Sequence, residues 1–208
     1  MIKNLLFDLG GVIMDLDRDR CVRAFEALGM ADADDFLGVY GQKGAFLALE
    51  RGDIGAAEFR DAIRPLFARP VTDSEIDHAF NQFLLGIPVS RLKALRELRK
   101  DYRIYLLSNT NPIMFEGMIA DEFRKEGLCM DDYFDGMVAS YKAKCYKPDR
   151  EIFDYTRGHC GIDGGETLFF DDSMANVEAA RAAGFKAVHV PVGAEFTEVL
   201  REYLSRNE

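Results

Sequence analysis

Five short apolar runs mark out this chain: Leu5–Phe7, Ile104–Leu107, Met137–Ala139, Leu168–Phe170 and Ala187–Val190. Each is too short for a helix, and none alternates apolar with polar positions. Runs of this kind predict strands buried on both faces. Apolar residues recur at helical spacing between the later runs, at Leu92, Leu95 and Leu98 and again at Val177, Ala180 and Ala183. A further helix is expected from near Arg150, and a last amphipathic one over Glu195–Leu204. Strands alternating with helices predict an α/β fold, a parallel five-stranded sheet with helices on both faces. Ligands of such sheets gather at the carboxyl ends of the strands.

One segment breaks the alternation. From about Asp17 to Ile87 no run reads as a strand, whereas helical spacing recurs at Cys21, Phe25 and Leu28. It recurs at Ala57, Phe59, Ile63 and Phe67, and at Ile76, Phe80, Phe83 and Leu84, with Gly41, Gly44, Gly52 and Pro70 as punctuation. The expected organisation is a core of residues 1–16 and 88–208 interrupted by a helical cap, residues 17–87, lying over the strand ends. The aromatic side chains of Tyr40, Phe80 and Phe83 are expected in the core of that cap.

Composition narrows the function. A net charge of -10 over 208 residues disfavours the sequence-independent phosphate attraction on which nucleic-acid binders rely. No apolar run approaches the ~18 residues of a membrane span. Asp8 interrupts the first apolar run too early for a signal peptide. Cys21, Cys129, Cys145 and Cys160 form no CxxC pair, so reduced thiols and a cytoplasmic setting are expected. Protein partners are unknown at this level.

Polar residues stand at the ends of three predicted strands. Asp8 follows Leu5–Phe7, Ser108 follows Leu107, and Asp171 and Asp172 follow Phe170. A single Asp or Ser at a strand end is ordinary turn chemistry. In a parallel sheet, however, all three project to one edge, and carboxylates so gathered repel unless a cation neutralises them. Hard oxygen ligands suit Mg²⁺. Lys147, in the polar loop Lys142–Asp149 after the third strand in that order, falls on the same edge.

These four pieces are Phe7-Asp8-Leu9-Gly10-Gly11-Val12, Leu107-Ser108-Asn109-Thr110, Lys147-Pro148 and Phe170-Asp171-Asp172-Ser173. In that order they resemble the four motifs of the haloacid dehalogenase-like (HAD) hydrolase superfamily. The insertion between the first two is similar to the helical cap of one subclass. Together with Glu50-Arg51-Gly52-Asp53-Ile54 in the cap, the set resembles the α-D-glucose-1-phosphate phosphatase branch.

The resemblance implies a Rossmann-like core and a phosphatase of small phosphorylated metabolites such as glucose 1-phosphate. Asp8 would be the nucleophile, forming an aspartyl-phosphate that water hydrolyses. Asp8, Asp172 and the Gly10 carbonyl would ligate Mg²⁺, with Asp171 acting directly or through water. Ser108 and the Asn109 backbone would bind the phosphoryl oxygens, and Lys147 would offset charge on nucleophile and phosphoryl group.

Gly10 departs from the superfamily pattern, which usually places a second Asp there as general acid and base. Such help is worth ~10²–10⁴ in rate. Its loss favours a leaving group that departs as a relatively acidic hydroxyl, such as the anomeric oxygen of a sugar 1-phosphate. The alternatives are a haloacid dehalogenase, a phosphosugar mutase, or a non-catalytic relative that binds a phosphorylated ligand. Asp15 is expected at a hinge or turn, Arg51 as an exposed loop residue, and His78, His159 and His189 as surface or packing residues.

Overall fold

The computed structural model describes residues 1–38 and 44–206; Tyr40 and Gly41 lie outside the described residues. All five apolar runs form strands, and together they make one sheet. They are β1 (Asn4–Phe7), β4 (Arg103–Ser108), β5 (Gly136–Ala139), β6 (Thr167–Asp171) and β7 (Lys186–His189), in the order β5-β4-β1-β6-β7. Every pairing is parallel. β1 lies at the centre, with Phe7 in register with Leu106 on one side and Phe170 on the other. That register alone brings Asp8, the end of β4 and the end of β6 side by side.

Alternate residues of each strand face opposite sides of the sheet. Leu5, Phe7, Ile104, Leu106, Leu168 and Phe170 belong to one buried cluster, and Leu6, Tyr105, Leu107 and Phe169 belong to another. The first is sealed by Phe7, which stacks on Phe170 at 4.8 Å and meets the edge of Phe196 at 5.0 Å. Phe196 opens the predicted last helix, observed over Phe196–Ser205. The second is closed by Ile152 and Phe153 from the helix Arg150–Cys160 and by Val177 from Met174–Ala182. Each fully buried Phe or Leu contributes ~1.5–3 kcal/mol from the area it removes from water.

Among the described residues, five α-helices fall between Asp17 and Gln82: α1 (Arg18–Ala27), α2 (Ala33–Leu37), α3 (Gly44–Glu50), α4 (Ala56–Ile63) and α5 (Asp73–Asn81). Their starts are written in the sequence. Asp17 accepts a hydrogen bond from the Arg20 amide at 3.0 Å, and Thr72 and Glu75 close a reciprocal capping box. The apolar faces meet around Phe80, whose ring lies 5.0 Å from Phe46, 5.1 Å from Phe59 and 6.1 Å from Phe25.

Two departures from the expected pattern matter. Leu84 does not continue the helical run of Ile76 and Phe80. The helix stops at Asn81, and Leu84–Gly86 form a strand, β3, antiparallel to β2 (Asp15–Leu16). The partner of each short strand lies far away in sequence, so local periodicity carries no trace of the pairing. This ribbon stands where the chain leaves the core and where it returns. Arg91, near the start of the helix α6 (Val89–Leu98), anchors it from below. Its buried guanidinium bonds Asp15 at 2.7 Å, the Ile13 carbonyl at 3.3 Å and Glu195 at 3.0 Å. Asp15 thus lies in the ribbon where the chain leaves the core, held by an ion pair with Arg91.

Phe80→Ala is expected to cost ~3–5 kcal/mol of stability, because the cavity lies among aromatic rings that cannot collapse onto it. Urea unfolding followed by circular dichroism measures the loss.

Candidate active site

The carboxyl ends of β1, β4 and β6 surround a cavity of about 190 Å³. Its polar floor comprises Asp8, Ser108, Asn109, Thr110, Lys147, Asp172 and Asn176, and its apolar wall includes Met14, Leu16, Phe46, Phe83, Leu84, Met114 and Ile119. Floor and wall come from different parts of the chain: Phe46, Phe83 and one further residue, Glu50, arrive from the inserted helices and the segment that follows them. Phe83 was expected in the core of the insertion. It packs against that core, half-buried, and also lines the cavity, because the chain has already left helix α5 at that point.

At the centre of the floor is Lys147, only 2% exposed. Its Nζ lies 2.8 Å from Asp8 Oδ1 and 2.7 Å from Asp171 Oδ2, and 5.4 Å above the ring of Phe169. Burial works against its charge, but the two carboxylates outweigh that cost and hold its pKa above the ordinary lysine value. The backbone of Lys147 is fixed as firmly as its side chain. Asn109 accepts from the Lys147 amide and donates to the Lys147 carbonyl, both at 2.9 Å. The Asn109 side chain is thus committed to structure.

The three carboxylates differ in what they have left to offer. Asp171 is fully buried, and besides Lys147 it accepts from the Ser173 amide at 2.8 Å and from Asn176 at 2.9 Å. Asp8 uses Oδ1 for both Lys147 and the Leu9 amide, the latter at 2.7 Å. Asp172 lies beside Gly11, where φ is +73° and a Cβ would fall 2.2 Å from Asp172 Oδ2. Only glycine allows that approach. One oxygen from each of the three lies within 4.8 Å of the others. Burial, reinforced by the neighbouring carboxylates and opposed by Lys147, pushes the Asp8 carboxyl up to about 8; burial and Asp171 raise Asp172 as well. One ammonium does not neutralise the group. A hard oxygen set with excess negative charge fits a small divalent cation such as Mg²⁺.

Three further residues border the site, and of these the sequence reading did not name Asn176. Asn176 bonds Asp171. His189, expected as a surface or packing residue, places Nε2 2.9 Å from the Asp172 carbonyl. Arg51, expected as an exposed loop residue, is half-buried. It pairs with Asp149 at 2.9 Å, beside the loop that carries Lys147, and its guanidinium lies 5.4 Å from the Tyr146 ring centroid. His78 and His159 are exposed and away from the cavity.

A family model described as haloacid dehalogenase-like hydrolase matches residues 2–184. The chain is 40% identical over 205 residues to a D-ribitol-5-phosphate phosphatase of Bacteroides thetaiotaomicron, covering 99% of this chain and 100% of that one. It is 28% identical over 192 residues to a phosphorylated carbohydrates phosphatase of Thermotoga maritima, covering 89% and 83%. Among solved structures, a HAD family enzyme of Bacteroides thetaiotaomicron, a mutant in complex with magnesium and inorganic phosphate, superposes with a TM-score of 0.93. It is 38% identical, over 96% of this chain and 99% of that one.

The raised carboxyls make metal-free stability depend on pH. Asp8 and Glu50 both titrate near 8 when folded, against ~4 for an unfolded carboxyl. Folded protein therefore binds more protons across that window, and their stabilising contribution is full below pH ~4 and lost as pH rises through about 8. Urea unfolding in EDTA should show stability declining from pH 5 to 8, with a shallower decline in Glu50→Gln.

Proposed function

The chain belongs to the haloacid dehalogenase-like hydrolase family, and on that premise we propose that it is a Mg²⁺-dependent phosphatase of small phosphorylated sugars or sugar alcohols. The observation that carries this reading is Asp8, a carboxylate held by Lys147 at 2.8 Å on the floor of a small cavity. The relatives at 40% and 28% identity are named for phosphorylated polyols and carbohydrates, which supports that class. Glucose 1-phosphate belongs to that class. We assign residues 1–16 and 88–208 to the catalytic core and 17–87 to the cap.

In this mechanism Asp8 attacks the phosphorus, and the alcohol leaves. Water then hydrolyses the aspartyl-phosphate, so one difficult displacement becomes two easier ones. Lys147 holds Asp8 Oδ1 and leaves the second oxygen for attack. The Ser108 hydroxyl and the Asn109 amide bind the phosphoryl oxygens. Asp171 keeps Lys147 in place, and with its oxygens already engaged it would serve a metal only through water. Asp8, Asp172 and the Gly10 carbonyl would hold Mg²⁺, which when bound offsets the charge of the phosphoryl group and the clustered carboxylates. Cys21, Cys129, Cys145 and Cys160 are free thiols, which suits a cytoplasmic setting.

A haloacid dehalogenase would share the nucleophile, but it has no use for Asp172 as a third carboxylate beside Asp8.

Phosphate release from ribitol 5-phosphate, glucose 1-phosphate, glucose 6-phosphate and p-nitrophenyl phosphate tests the proposal. Turnover is expected with Mg²⁺, with loss in EDTA and in Asp8→Asn. No turnover on any of these would overturn it.

A further inference from the structure

Glu50 stands last in helix α3, and the cap delivers it to the cavity that holds Asp8. It is 4% exposed, and its Oε2 is fully buried without a hydrogen-bond partner. A carboxyl oxygen withdrawn from water without a partner is costly unless the group stays neutral or meets a ligand. Nothing in the fold requires an acid there for packing, since Phe46 and Leu49 already bury the apolar face of the same helix.

The end of α3 is also held in place by three contacts to the core. Ser140 Oγ bonds the Glu50 carbonyl at 2.6 Å, and Arg51 pairs with Asp149 at 2.9 Å. Gly52, with φ at +71°, lets the chain pass so close to the Tyr141 carbonyl that a Cβ would lie 2.1 Å from it. These contacts fix the backbone from the Glu50 carbonyl onward, where helix α3 ends. At Gly10, meanwhile, the floor has no side chain, and a Cβ there would run into Leu16 Cδ1 at 2.7 Å.

We infer that Glu50 is a catalytic residue, supplying from the cap the general acid and base that Gly10 cannot supply from the floor. The inference rests on the phosphatase reading above. As Asp8 attacks, the bond from phosphorus to the leaving oxygen breaks, and that oxygen takes the proton from Glu50. The alcohol departs and Glu50 is left as a carboxylate. Water then attacks the aspartyl-phosphate and gives its proton to Glu50. The bond from phosphorus to Asp8 breaks, Asp8 recovers its electron pair, and Glu50 is protonated again. Burial, the largest influence on the Glu50 carboxyl, favours the protonated form before substrate binds.

The test compares leaving groups in Glu50→Gln, which keeps the size of the side chain. Turnover of ribitol 5-phosphate or glucose 6-phosphate, whose leaving alkoxides need a proton, should fall ~10²–10⁴-fold. p-Nitrophenolate needs none. The variant should therefore still release a burst of it stoichiometric with enzyme, followed by slow steady-state turnover. Absence of the p-nitrophenolate burst, or undiminished turnover of the alkyl esters, would overturn the assignment. Wild-type enzyme gives a second readout that does not depend on the variant folding: across a series of alkyl and aryl phosphates its kcat/KM should vary little with leaving-group pKa. A steep dependence in the wild type would also overturn it. Wild-type enzyme inactive on every ester would instead remove the phosphatase reading itself.

Discussion

A single buried ammonium organises this protein. Lys147 lies between Asp8 and Asp171, within 2.8 Å of each, and water has almost no access to it. Removing one partner of such a pair is costly, ~3–5 kcal/mol, because the remaining charge is stranded. Holding the arrangement therefore recruits structure from several directions. The parallel register places Asp8 beside the end of β6, Asn109 clips the Lys147 backbone from the end of β4, and Asn176 and the Ser173 amide absorb what is left of Asp171. The site still carries excess negative charge, with Asp172 close by, and that imbalance is what makes a divalent cation a natural complement.

The same edge of the sheet receives the cap. The inserted helices pack around Phe80 as a unit, and the ribbon of β2 and β3 joins them to the core. Arg91 braces that ribbon through Asp15, while Arg51 and Ser140 tie the far end of α3 to the loops around Lys147. The cavity is consequently a shared one. Its floor is polar and belongs to the strand ends, its wall is mostly apolar, and Glu50 is an acid set among those wall residues. The contacts at the end of α3 leave the Glu50 backbone little freedom, which is what the proposed supply of chemistry from the cap requires.

Much of this was legible in the order of residues. Leu5–Phe7 and Leu168–Phe170 announce buried strands because a strand covered on both faces has no polar positions to show. Asp8, Ser108, Asp171 and Asp172 could be placed on one edge because parallel strands all end on the same side. These inferences need only the period of a strand and the direction of a sheet. The requirement for glycine at position 11 is not among them, since the carboxylate that crowds it, Asp172, comes from the other end of the chain.

Other features were decided by tertiary structure alone. Leu84 looks helical beside Phe80 until its partner across the ribbon, Leu16, is known. Phe83 looks like cap core, His189 like a packing residue and Arg51 like a loop cation, until each is seen against a neighbour distant in sequence. Glu50 is the clearest case. In the sequence it is the last acid of an ordinary amphipathic stretch, and nothing local distinguishes it from a solvated glutamate. Burial strips its water, the clamp at Ser140 and Asp149 fixes its position, and the approach of Asp8 raises its proton affinity. Local pattern determines which segments are strands and helices, because propensity and periodicity act over a few residues. Which carboxyl keeps its proton depends on desolvation and charge contributed by the whole fold.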